Sequence, residues 1–285
     1  LHNRSIFFSS HDEVKKFLEK RSIENSKKHQ QPATLNVKSN LDKLTLNDMQ
    51  VFRFNFRHEK NQKILYLHGG YNTLQPSPFH WRLLDKLTLN TLHEVVLPIY
   101  PKSPDYHYLE TFKAIRDVYN QLVEEVGADN IVMMGDGSGG GLALSFVQSL
   151  INDNQEVPRK LFLLSPLLDA TLTNPNITQT LEENDILVSR FGVHQLMKSW
   201  ANDLPLSDAR ISPLYGTLKG LPPIYMYGGG REILSPDMHA FTHALEECGN
   251  DVEFKEYPKM VHDFPIYPIR QSHKVLKHIT KSILE

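Results

Sequence analysis

Short apolar runs recur along the chain, separated by stretches with helical spacing: Ile64 to Leu67, Val95 to Pro98, Ile131 to Met134, Leu161 to Leu164, Ile224 to Tyr227 and Val252 to Tyr257. Most are continuous rather than alternating. That is the pattern of strands covered on both faces, which parallel sheets require. Phe52, Phe54 and Phe56 alternate with polar or smaller residues, as a half-buried strand does. Between the runs, Tyr108 to Val126 repeats Leu109, Phe112, Ile115, Val118, Tyr119 and Leu122 at helical spacing. Gly139 to Ile151, Met238 to Cys248 and His273 to Leu284 also read as helices, and Ser235-Pro236-Asp237 reads as a helix start. Strand–helix alternation of this kind predicts the α/β class, with an open, mostly parallel sheet flanked by helices.

Composition narrows what such a sheet could serve. At 285 residues, with 40% hydrophobic and 22% charged, the chain can bury a large core, and disorder over its whole length is excluded. Lys plus Arg is 31 against 33 for Asp plus Glu, so charge gives no reason to expect a nucleic acid partner. Cys248 stands alone, which excludes an intrachain disulfide. No apolar run approaches the ~20 residues of a membrane span. A cytoplasmic location is favoured. The chain begins at Leu1, which leaves a signal or anchor upstream open.

Two segments interrupt the alternation. Residues 1–45 carry an amphipathic stretch from Asp12 to Lys28 followed by a polar run, and residues 170–215 separate two strands by far more than an ordinary connection. Long inserts of this kind are expected to be lids, an N-terminal cap and an inserted cap on a domain of residues 46–285.

Chemistry should collect where strands end. The first place is His68-Gly69-Gly70-Tyr71, where Gly69 and Gly70 could turn backbone N–H groups toward an oxyanion. The second is Ile131 to Leu144, IVMMGDGSGGGLAL. It lacks the Lys-Ser/Thr pair of a phosphate-binding loop and fits a nucleophile elbow, a sharp strand-to-helix turn that lifts one side chain above the sheet. The third is a pair of late residues, Glu232 and His262, each following a strand. Elbow, acid and histidine then run in the chain order of one hydrolase architecture. Asp237 is a rival acid, with a sufficient role in the first turn of its helix. Phe79, Trp81, Phe191 and Trp200 are candidates for an apolar wall or lid.

From about Phe52 to the C-terminus the chain resembles the hormone-sensitive-lipase-like carboxylesterases of the α/β-hydrolase fold. HGGY at His68 is similar to that family's HGGG oxyanion motif. VVLPIYPKSPDYHY, LLSPLLDATLTNPNI and SPLYGTLKGLPPIYM are similar to three further blocks. The resemblance implies a Ser-His-acid hydrolase for short- to medium-chain acyl esters, with Glu232 and His262 as acid and base. It implies no metal or organic cofactor and a small-molecule ester as partner.

One departure outweighs the matches. The family elbow reads Gly-Asp-Ser-Ala-Gly-Gly, and this chain reads Gly135-Asp136-Gly137-Ser138-Gly139-Gly140. In gap-free register the nucleophile position is Gly137. Either the attacking hydroxyl is lost, leaving an impaired enzyme or a ligand-binding protein such as the gibberellin receptors that resemble the same family, or the turn slips by one residue and Ser138 attacks. A one-residue slip at a helix start swings a side chain by ~100°, so the first reading is preferred.

Overall fold

The computed structural model describes residues 6–55 and 62–285; Phe56, expected in a strand, lies outside the described residues. One eight-stranded sheet runs through the molecule in the order β1-β2-β4-β3-β5-β6-β7-β8. The strands are β1 Leu41–Leu46, β2 Met49–Phe54, β3 Lys63–Leu67, β4 Glu94–Pro98, β5 Ile131–Asp136, β6 Lys160–Leu164, β7 Ile224–Gly229 and β8 Val252–Tyr257. From β4 to β8 every neighbouring pair is parallel, while β1 pairs with β2 and β2 with β4 antiparallel. Strand β1 was not visible as an apolar run. A two-residue turn with positive φ at both Asn47 and Asp48 folds it back onto β2, the hairpin geometry those residue types favour. The sheet therefore takes in residues 41–45.

Helices fill the intervals: α1 His11–Asn25, α2 Pro78–Thr91, α3 Tyr108–Val126, α4 Gly137–Asn152, α5 Gln179–Asn184, α6 Arg190–Ala201, α7 Ser235–Glu247 and α8 Arg270–Leu284. Helix α2 was missed in the sequence, where Phe79 and Trp81 were weighed as lid aromatics. In fact Trp81 is buried with Phe52 and Phe54 in the core. Among the described residues no helix is long and apolar enough to cross a membrane.

The continuous apolar runs now have their cause. In β3, Ile64 and Tyr66 face one core with α2 and α8, while Leu65 and Leu67 face the other with α3, α4 and α7. Val132 and Met134 in β5 divide from Ile131 and Met133 in the same way. Each such Leu, Ile or Val side chain contributes roughly 1.5–3 kcal/mol on burial, so a polar residue on either face would cost stability.

A buried charge cluster closes one end of the sheet. Glu94, 1% exposed, accepts from Arg53 Nε at 2.5 Å and from Lys63 Nζ at 3.2 Å. Arg53 also grips Glu125 through both terminal nitrogens, at 2.9 and 2.6 Å. Removing one member of such a cluster strands buried charge, whereas the intact set is compensated. Glu94→Ala is accordingly expected to destabilise the fold by ~3–5 kcal/mol, read as a lower urea midpoint. A loss under about 1 kcal/mol would show that the cluster is solvated rather than buried.

Candidate active site

The elbow forms where β5 passes into α4. Gly137 has φ of 51°, in the left-handed region, and a Cβ built there would lie 3.4 Å from His262 Nε2 and 3.1 Å from Asp263 Oδ2. Two residues on, a Cβ on Gly139 would lie 2.2 Å from the Leu67 carbonyl oxygen. The glycine run thus lets the start of α4 press onto the end of β3, and any side chain at residue 139 would pry the two apart. Ser138, 4% exposed, turns its Oγ toward the first loop, where it accepts the Asn72 N–H at 3.3 Å. Among the described residues no hydrogen bond joins Ser138 to His262.

Glu232 and His262 come together from the loops after β7 and β8. Glu232 is fully buried; its Oε2 lies 2.6 Å from His262 Nδ1, and its Oε1 accepts the Gly229 N–H at 2.6 Å and the Ser165 hydroxyl at 2.8 Å. The carboxylate is therefore held on both oxygens and cannot swing away from the ring. Asp237 stands apart. It sits in the first turn of α7, accepts from Asn174 Nδ2 at 2.8 Å, and is pushed up to about 6 by burial.

Asp263 was missed. It directly follows His262 with φ of 53°, and its Oδ2 lies 3.1 Å from His262 Nε2. Burial pushes its carboxyl up to about 6, against the pull of His262. Burial alone would depress His262. The Asp263 and Glu232 carboxylates on its two nitrogens overcome that and raise it well above the ordinary imidazole value.

The first loop behaves differently from the expectation at Gly69. Its N–H donates to Asp136 Oδ1 at 3.0 Å, so it is not available to an oxyanion. The following residues carry the turn: Gly70, Tyr71 and Asn72 all have positive φ. Among the described residues the Gly70 and Tyr71 N–H groups have no acceptor, and the Ser138 N–H lies in the first turn of α4, where helices leave donors free. Asp136, 1% exposed, also accepts the Tyr66 hydroxyl at 2.6 Å and faces His80 Nε2 at 2.9 Å. Burial would raise its pKa, but His80 and these donors hold it below the carboxylate range, and Asp136 in turn lifts His80 above its usual value despite burial.

These groups line a cavity of about 100 Å³ with Gly70, Tyr71, Gly137, Ser138, His262 and Asp263 on its walls. Ile6 enters from the N-terminal segment and Leu187 from the insert after β6. Of the aromatics singled out in the sequence, only Phe79 lines it. Trp200 is buried, with its Nε1–H on Thr111 Oγ1, and Phe191 packs edge-on against His11.

Comparison with known proteins identifies the fold family. The alpha/beta hydrolase fold family matches residues 64–266. An esterase of Acinetobacter venetianus is 33% identical over 208 residues, which cover 72% of this chain and 68% of that one. A triacylglycerol lipase of Mycobacterium tuberculosis is 29% identical over 221 residues, covering 77% of this chain; the chain spans about half of that lipase's length, 46%. A solved structure of a candidate esterase from Staphylococcus aureus superposes with a TM-score of 0.98 at 64% identity, covering 100% of this chain and 97% of that one. An esterase of the bacterial hormone-sensitive lipase family shares the fold, with a TM-score of 0.82 at 21% identity over 97% and 92% of the two chains. The chain belongs to the α/β-hydrolase fold family.

The two-carboxylate grip on His262 has a measurable consequence. A histidine whose folded pKa is raised lends stability that is fully present below the unfolded value near ~6.5 and is lost as pH rises through the folded value. Asp263→Asn removes one of the two charges. The His262 imidazole, followed by nitrogen NMR, is expected to titrate at lower pH in that variant, because a charge partner at contact is lost. An unchanged titration would mean that Glu232 alone sets it.

Proposed function

We propose that this α/β-hydrolase is a carboxylic ester hydrolase of the serine-hydrolase type for short- to medium-chain acyl esters, with Gly137 at the nucleophile position and turnover low in consequence. The observation that carries the reading is the placement of a Cβ at residue 137, 3.4 Å from His262 Nε2, while Glu232 holds the opposite nitrogen. A hydroxyl one bond beyond that Cβ falls within reach of Nε2, the relation an attacking serine has to its base. The curated relatives named esterase and triacylglycerol lipase support the reaction class.

The roles follow from position. An ester carbonyl enters the cavity with its oxygen toward the N–H groups of Gly70, Tyr71 and Ser138, which stabilise the developing oxyanion. His262 takes the proton of the attacking group once Asp263 Oδ2, 3.1 Å from Nε2, gives way to substrate, and returns it to the leaving alkoxide, while Glu232 holds the ring and its tautomer. The small cavity suits a short acyl chain. No metal or organic cofactor enters the scheme. Ser138 is the weaker candidate for attack, since its Oγ is turned to Asn72 N and its backbone is better placed than its side chain.

Losing the attacking group of a serine hydrolase costs ~10⁶ in turnover, while oxyanion stabilisation and binding leave only ~10³–10⁴ over water. Hydrolysis of p-nitrophenyl acetate by the unmodified chain is therefore expected to be weak. Gly137→Ser should raise kcat by ~10²-fold or more, and Ser138→Ala added to that variant should change it by less than about tenfold. Robust activity in the unmodified chain, abolished by both Ser138→Ala and His262→Ala, would instead make Ser138 the nucleophile.

A further inference from the structure

A serine, a histidine and an aspartate outside the Glu232–His262 pair also stand in line beside the same cavity. Ser77 Oγ lies 2.8 Å from His80 Nδ1, and His80 Nε2 lies 2.9 Å from Asp136 Oδ2. The Ser77 N–H also donates to Nδ1 at 2.9 Å. In the neutral ring that contact places the lone pair on Nδ1, where the Ser77 N–H and hydroxyl share it, and the hydrogen on Nε2, toward the carboxylate. This is the tautomer a general base needs, with the two ring nitrogens exchanged relative to His262. Ser77 and His80 line the cavity together with Gly70, Tyr71 and Gly137.

Ser77 is also the N-cap residue of α2, and capping accounts for its contact with a side chain three positions on. Capping does not account for the rest. It needs neither the burial of His80, 6% exposed, nor a carboxylate 1% exposed on the far nitrogen. Asp136 is in turn fixed by the Tyr66 hydroxyl and the Gly69 N–H, so the histidine is oriented by a group that cannot move. Ser77 itself is only half-buried and lines the cavity.

We infer that Ser77, His80 and Asp136 form a second nucleophile–base–acid set, in which Ser77 is acylated by an activated ester, or phosphonylated by a fluorophosphonate as the P–F bond breaks and fluoride leaves, in the absence of an elbow hydroxyl. The inference rests on the ester-hydrolase reading of the cavity. In the step, Ser77 Oγ bonds to the carbonyl carbon and its proton passes to His80 Nδ1. The carbon–alkoxide bond then breaks, and the leaving alkoxide takes that proton, giving free alcohol and acyl-Ser77. Water adds to the acyl carbon, gives its proton to Nδ1, and releases the carboxylic acid as Ser77 recovers the proton.

The test is covalent labelling of the intact chain by a fluorophosphonate, followed by peptide mapping, with Gly137→Ser labelled in parallel. Ser77→Asn is the matched variant, because asparagine keeps the capping role and lacks the hydroxyl. The expected result is one adduct on Ser77 in the unmodified chain, none in Ser77→Asn, and at least a tenfold loss of its residual p-nitrophenyl acetate turnover. An adduct on Ser138, or no adduct on the unmodified chain while Gly137→Ser is labelled at its introduced hydroxyl, overturns the inference and leaves the ester-hydrolase reading standing. Failure of both proteins to react overturns the two together.

Discussion

The carboxylate of Asp136 ties the site to the sheet. It stands at the end of β5 and is almost wholly buried, and it accepts from Tyr66 in the neighbouring strand, from the Gly69 N–H in the first loop and from His80 at the start of α2. A buried carboxylate is costly unless its oxygens are occupied. Here each partner comes from a different element, so satisfying the charge fixes strand, loop and helix against one another. The turn at Gly137 then inherits a rigid base on one side and the close approach of α4 to β3 on the other. Glu232 is secured by the same logic: Gly229 and Ser165 hold one oxygen and leave the other for His262.

Much of this was legible in the chain. The parallel strands announced themselves because both faces are covered, which removes polar residues from Ile64 to Leu67 and Ile131 to Met134. The pairing of Leu161 to Leu164 with Ile224 to Tyr227 in one sheet follows from the same signal. Glu232 and His262 were readable from their order after the elbow, each just past a strand end, and from the family resemblance, and their 2.6 Å contact joins groups 30 residues apart. What escaped was whatever depends on a partner distant in sequence. Strand β1 is too polar to show as a run and exists through its pairing with β2. Asp263 carries no sequence signal, and only the backbone turn brings its carboxyl onto Nε2. His80 carried no motif. Gly69 reads as an oxyanion donor, and only the fold reveals that Asp136 takes its N–H.

The aromatic residues teach a related lesson. Trp81, Phe191 and Trp200 sit in segments that flank the cavity in sequence, yet they face the core or another surface. Large rings are drawn to wherever the most apolar area can be covered, and proximity to a motif is a weak guide to that. Beside Phe79, the cavity is lined by Ile6 and Leu187, aliphatic residues from two segments far apart in the chain. Shape near the reacting centre is thus set by tertiary contacts of the N-terminal segment and the insert.

The left-handed backbone at residue 137 places stability and chemistry in opposition. Glycine adopts φ of 51° without penalty, whereas any residue carrying a Cβ is strained there by of order 1–3 kcal/mol. Against a total folding free energy of only ~5–15 kcal/mol, that is a substantial fraction. A serine placed at this turn would carry that strain for the sake of its hydroxyl, so the glycine form is the better folded of the two.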